Sequence, residues 1–269
     1  MRFVHVSGRL VAFIAVAALV IAVSGCRTLA KAPSLSLESA IGGEVLRVGV
    51  TPVYPPLIFF AEDDYRGLDA ELARQLAREL RMRLDIIELP WEELLPALRN
   101  DRIDIVMSGM SITRKRLNLV AFSDPYLRVD KLALVRKDDL EQYDTLAAIM
   151  LTPGKVGVKK DTTTDDLVRE RFHYADRVPF ASLEDAAQDL IDKEIDMVVG
   201  DSPSILWYAA TKEWYGLVPI PRRLDVEFLG WAVRHDDEAL LEEVNHFLAE
   251  WQANGKLDNA ITRWMPPVE

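Results

Sequence analysis

Short apolar runs and striped amphipathic segments alternate along most of this chain. Leu46-Arg47-Val48-Gly49-Val50 reads as a short buried strand. Leu68, Leu72, Leu76 and Leu80 then recur at helical spacing, with Glu71, Arg74, Arg78 and Glu79 on the other faces, which predicts an amphipathic helix. Leu94, Leu95 and Leu98 mark a second helix, and Ile103-Asp104-Ile105-Val106-Met107 is again an apolar run of strand type. The rhythm then returns. Val156-Gly157-Val158 predicts a strand, and Leu183, Ala186, Ala187, Leu190 and Ile191 stripe a helix with Ser182 and Asp185 as a capping pair. Ile195-Asp196-Met197-Val198 predicts the next strand. Helices over about 236–252 and 258–264 close the chain, burying Leu240, Val244, Phe247 and Trp251, with Gly255 as a stop between them.

The repetition gives the architecture. Val48-Gly49-Val50 recurs as Val156-Gly157-Val158, and Ile103-Asp104-Ile105-Val106 recurs as Ile195-Asp196-Met197-Val198. Strand and helix alternate in both halves, which predicts an α/β protein of two lobes, each with a parallel-core sheet and flanking helices. Ligands of such sheets sit beyond the carboxyl ends of the strands. The four repeated strands end at 51–54, 108–111, 159–164 and 200–201, so two facing lobes bring these loops into one cleft. Chain crossings near 127–131 and 225–229 return the C-terminal helices to the first lobe. The predicted limits are 44–130 plus 228–269 for lobe one and 131–227 for lobe two.

The N-terminus follows a different pattern. Arg2 and Arg9 precede an unbroken apolar run over 10–23, followed by Ser24-Gly25-Cys26. That run is shorter than the roughly 20 residues needed to span a bilayer, and it suits the core of a secretory signal over 1–25. Small residues before a cysteine resemble a lipobox, which implies lipidation of Cys26. An ordinary signal with an incidental cysteine is the plainer alternative. Because Cys26 is the only cysteine and stands where a lipobox needs it, the lipidated reading is preferred. It follows that the mature chain has no disulfide. Residues 26–43 then read as a lipidated cysteine and tether. The expected location is the periplasm, anchored to a membrane. Arg27 does not match the Asp that marks inner-membrane retention in enterobacteria-like sorting, so the choice of membrane stays open.

Charge narrows the partners. The formal net charge is −11, and it is more negative still without the two arginines before Cys26, which argues against nucleic acid or an anionic surface. No Gly-x-Ser-x-Gly, His-Glu-x-x-His or Cys–His pair is present, and His173, His235 and His246 are scattered in polar segments. Neither a metal nor a cofactor is expected.

The segment from Ser108 to Arg116 carries the chemistry. An apolar strand breaks into Ser108, Gly109 and Ser111 before Thr113, a helix N-cap candidate, with Arg116 three residues on. A helix start favours an anion, and arginine can fork a carboxylate with two parallel hydrogen bonds. Together these residues read as a small-anion site.

These residues, with Phe122-Ser123-Asp124-Pro125-Tyr126, resemble the signature of the polar-amino-acid-binding proteins of bacterial ABC importers. The likeness runs from about Glu44 to Trp264. It includes Tyr54-Pro55-Pro56, Gly67-Leu68-Asp69, Leu95-Pro96-Ala97-Leu98, Thr162-Thr163, Val199-Gly200-Asp201 and Trp231-Ala232-Val233-Arg234. The resemblance implies capture of a small zwitterion for a permease, with no catalytic residue. It implies that Arg116 grips the ligand α-carboxylate with the Ser111 backbone N–H and Thr163. Asp201 is then expected to pair with the α-ammonium beside the Gly109 carbonyl and the Ser108 hydroxyl, and Tyr54 and Trp91 to wall the side chain. Three positions depart from the pattern. Thr51 stands where many relatives have an acid, Asp161 replaces a frequent Gly and is expected either to cap the next helix or to point inward, and Lys159 faces the side-chain region or the solvent. Two alternatives remain: a periplasmic cyclohexadienyl dehydratase acting on prephenate or arogenate, with Asp161, Asp201 or Glu227 as candidate acids, and an amino-acid sensor without transport.

Overall fold

A computed structural model of the chain describes residues 45–265. The signal, Cys26 and the tether lie outside the described residues. Two mixed sheets organise the rest. In the first, the strands Arg83–Glu88, Val45–Val50 and Ile105–Val106 run parallel, followed by Ala232–Val233 and Ala121–Phe122, which pair antiparallel. In the second, Asp176–Phe180, Lys155–Lys159 and Met197–Asp201 run parallel, and the ten-residue strand Leu127–Arg136 pairs antiparallel beside them. The parallel cores match the expectation from pattern. The antiparallel strands were not read from it, because each is a chain segment arriving from or returning to the other sheet.

Both repeats use the same packing device. Asp104 accepts a hydrogen bond from the Arg47 N–H at 2.8 Å, and Asp196 accepts one from the Lys155 N–H at 2.8 Å. The glycine of each Val-Gly-Val run lets an isoleucine close over the strand: a Cβ on Gly49 would lie 2.3 Å from Ile103 Cδ1, and one on Gly157 would lie 2.6 Å from Ile195 Cδ1. Successive strand residues feed opposite faces, so each sheet is buried on both sides. In the first sheet, Val48, Ile105 and Met107 pack with the Leu68–Glu79 helix and the C-terminal helices Glu238–Ala253 and Lys256–Trp264, while Val106 packs with Leu94 and Leu98. In the second, Val156, Val158 and Met197 pack against Leu167 and Val168, while Leu134 and Val198 meet Leu183, Leu190 and Ile205.

The two crossings expected near 127–131 and 225–229 are paired strands. Leu127–Arg136 and Asp225–Leu229 run antiparallel, with Lys131 opposite Asp225, Val129 opposite Glu227 and Leu127 opposite Leu229. A ribbon of two hydrogen-bonded strands therefore joins the lobes.

Candidate functional site

The four loop ends do converge. Tyr54 follows the first strand, Gly109, Ser111 and Arg116 follow Ile105–Val106, Lys159 and Thr163 follow the second lobe's first parallel strand, and Asp201 ends Met197–Asp201. With Trp91 they line a cavity of about 40 Å³. A larger cavity, of about 280 Å³, shares Trp91, Arg116, Thr162 and Thr163 with it.

Arg116 is placed by its own short helix, Arg114–Leu117, whose N-cap Thr113 accepts the Arg116 N–H at 3.2 Å. Its guanidinium donates to the Ser111 carbonyl at 2.8 Å and lies 5.3 Å from the Trp91 ring centroid. Among the described residues no carboxylate comes within ion-pair distance of it. Burial lowers its pKa, opposed by Glu227, Asp201 and Asp166, yet a guanidinium remains charged at any physiological pH. One of its donors is used, and the rest of the planar fork is left for an acceptor.

Gly109 holds a left-handed conformation, φ 62°, and the Tyr54 ring comes so near that a Cβ there would sit 2.5 Å from Tyr54 Cε1. Its N–H donates to Asp69 Oδ2 at 2.7 Å. Asp69 stands in the first turn of the Leu68–Glu79 helix, fully buried, and also accepts Trp231 Nε1–H at 3.3 Å. Burial pushes this carboxyl up to about 6, with the hydrogen bonds it accepts opposing. Ser108 lies behind this wall. It is 1% exposed, does not line the cavity, and accepts the Thr51 N–H at 2.9 Å on Oγ. Thr51 Oγ1 turns away to donate to the Leu89 carbonyl at 2.8 Å.

At the base of the cleft lies a cluster that sequence reasoning did not assemble. Lys131, 1% exposed, makes ion pairs with both Asp201 and Glu227, the latter at 2.9 Å, and donates to Thr163 Oγ1 at 2.9 Å. Glu227 Oε2 also accepts from Ser111 Oγ at 2.5 Å and Thr163 Oγ1 at 2.8 Å. The Tyr54 hydroxyl donates to Asp201, and burial together with that carboxylate raises the phenol pKa well above its usual value. Burial alone would lower the Lys131 pKa, but the two carboxylates outweigh it and the net direction is upward. Strand register explains the cluster. Asp201 lies directly opposite Lys131, and Glu227 lies two residues from Lys131's partner Asp225, so all three side chains share one face.

The sequence profile of the bacterial extracellular solute-binding proteins, family 3, matches residues 46–267. The chain belongs to that family. It is 29% identical to ABC transporter arginine-binding protein 1 of Escherichia coli (strain K12) over 232 residues, covering 84% of this chain and 93% of that one. Among solved structures it is similar to the ancestral amino acid-binding protein AncCDT-1, described as a precursor of cyclohexadienyl dehydratase. There the TM-score is 0.80 and the identity 32%, over 87% of this chain and 100% of the other. An ancestral arginine-binding protein bound to arginine gives a TM-score of 0.77 at 29% identity, over 82% and 97% of the two chains.

In this family 3 protein, the remaining expected residues fall as follows. Trp91 lines the cavity and its Nε1–H donates across the cleft to the Asp161 carbonyl at 2.9 Å. Asp161 does not cap the following helix. It adopts φ 59° and its N–H donates to Asp165, while Thr162 is the N-cap of Thr163–Arg171, accepting the Asp165 N–H at 3.3 Å. Thr163 faces the cavity, but its hydroxyl proton is committed to Glu227. Lys159 is half-buried, with its ammonium 5.0 Å from the Trp91 ring centroid. Among the described residues, no group of three or more His, Cys, Asp or Glu is placed to hold a metal ion, and no helix is long and apolar enough to cross a membrane.

Lys131 was legible in one respect. Leu127, Val129, Lys131, Ala133 and Val135 share one face of their strand, and the lysine is its only charge. A charge on an otherwise apolar face calls for a buried partner, although the face itself does not say which residues supply it.

Proposed function

We propose that the protein captures a small amino acid between lobes 44–130 plus 228–269 and 131–227, and presents it to an ABC permease. The carrying observation is that Arg116 from one lobe and Asp201 from the other border one cavity. Arg116 offers an uncommitted planar fork to an α-carboxylate. Asp201 keeps acceptor capacity beyond Lys131 and Tyr54, and the Gly109 carbonyl lies on the same wall for an α-ammonium. A zwitterion losing water around both charges needs such a fixed partner for each. Tyr54 and Trp91 supply apolar walls. The names of the arginine-binding relatives support an amino-acid ligand, and the family supports a permease partner and a periplasmic site of action. The Ser24-Gly25-Cys26 segment supports a lipid anchor.

The same scaffold supports binding better than dehydration. Asp201 and Glu227 are both tied to Lys131, and Asp161 is exposed and does not line the smaller cavity, so none of the three candidate acids stands uncommitted there. Prephenate incubated with the protein should yield no phenylpyruvate.

Calorimetry of the purified full chain against the twenty amino acids tests the reading. Saturable heat is expected with at least one, and Arg116→Ala should weaken it by on the order of 10²–10³-fold, since breaking a buried charge pair costs about 3–5 kcal/mol. Arg116→Lys should not restore it, because an ammonium lacks the fork. No heat with any amino acid would refute the proposal.

A further inference from the structure

The ionised groups around the cleft do not balance. Lys131 is consumed by Asp201 and Glu227, and these three groups together carry one net negative charge, which an α-ammonium neutralises. Arg116 is matched by an α-carboxylate. Lys159 then remains. It ends the Lys155–Lys159 strand, lines the same cavity, and among the described residues has no hydrogen bond or ion pair to its ammonium. The charges that favour its protonated form are those of Asp201, already held by Lys131, and Glu92, exposed at the rim, and Arg116 stacks on the same Trp91 ring. Asp161, two residues along the chain, presents its carbonyl to Trp91, and its carboxylate is exposed. Closing the cleft on a neutral side chain would leave the Lys159 cation desolvated without a counter-charge. A cationic side chain would add repulsion.

We infer that the ligand is an acidic amino acid whose side-chain carboxylate pairs with Lys159 beside Trp91. This rests on the amino-acid reading and narrows it. It also sets this protein apart from the arginine-binding relatives, since the lysine opposes a guanidinium. Burial pushes the Lys159 ammonium down to about 8. Protonated lysine is the form that pairs with a carboxylate, so affinity for the acid should fall as pH rises through about 8, while affinity for the amide should not follow that profile.

The test is calorimetry of the full chain with L-glutamate, L-aspartate, L-glutamine, L-asparagine, L-arginine and glutarate. One acid should bind roughly 10- to 100-fold tighter than its amide, the range for a charge-assisted hydrogen bond. Glutarate, which lacks the ammonium, and arginine should both bind more weakly than the acid. Lys159→Met should collapse the acid-to-amide ratio towards one, and Lys159→Arg should retain the preference. An amide or arginine binding as tightly as the acids, with that binding still lost in Arg116→Ala, would overturn this inference and leave amino-acid capture standing. Glutarate equal to glutamate would also overturn it. Loss of all amino-acid binding would overturn both.

Discussion

Lys159 illustrates how a residue can be kept at a cost to the fold. Its pKa falls from 10.5 to about 8 because burial penalises the charged form more than Asp201 and Glu92 favour it. The unfolded chain therefore holds the proton more tightly than the folded one. Between about pH 8 and 10.5 stability from this group rises with pH, and below 8 the full penalty is present. At neutral pH, Lys159→Met should stabilise the protein without added ligand, by up to about 3.5 kcal/mol for a displacement of about 2.5 units at about 1.4 kcal/mol each. Urea denaturation at pH 7 measures this, and an unchanged or lowered midpoint would contradict it. From sequence, Lys159 stood equally for a solvated surface group or a side-chain contact. Which one holds depends on Trp91, brought from the other lobe, and no local pattern encodes that.

The elements that build the site were more readable than the side chains that fill it. The Val-Gly-Val and Ile-Asp repeats located four parallel strands and hence four converging loops, because a buried parallel strand leaves a compact apolar signature. Thr113 as a cap was legible for the same kind of local reason. The Lys131 cluster was not read, since it depends on antiparallel register between three strands distant in sequence. That register makes a sharp prediction. Lys131→Met preserves much of the side chain's bulk but leaves Asp201 and Glu227 facing each other without their shared cation. It should destabilise the fold by about 3–5 kcal/mol, the usual result of removing one partner from a buried ionic group. Chemical denaturation reads it directly, and a loss under about 1 kcal/mol would mean that the cluster is not energetically coupled.

At the scale of the molecule, two sheets are joined by the antiparallel pair Leu127–Arg136 and Asp225–Leu229, and contacts bridge the cleft above that ribbon. Trp91 donates to the Asp161 carbonyl, Tyr54 to Asp201, and Ser204 Oγ to the Pro55 carbonyl at 2.6 Å. A ligand favours this arrangement only if it gains interactions in it that are absent when the lobes part. Arg116 and Asp201, one from each lobe, meet that condition if they hold the two ends of one molecule. A crystal structure grown with the tightest-binding amino acid tests this most directly. The account predicts the α-carboxylate forked by Arg116, the α-ammonium against Asp201 and the Gly109 carbonyl, and both lobes in contact with the ligand. A ligand held by one lobe alone, or with its carboxylate away from Arg116, would contradict it.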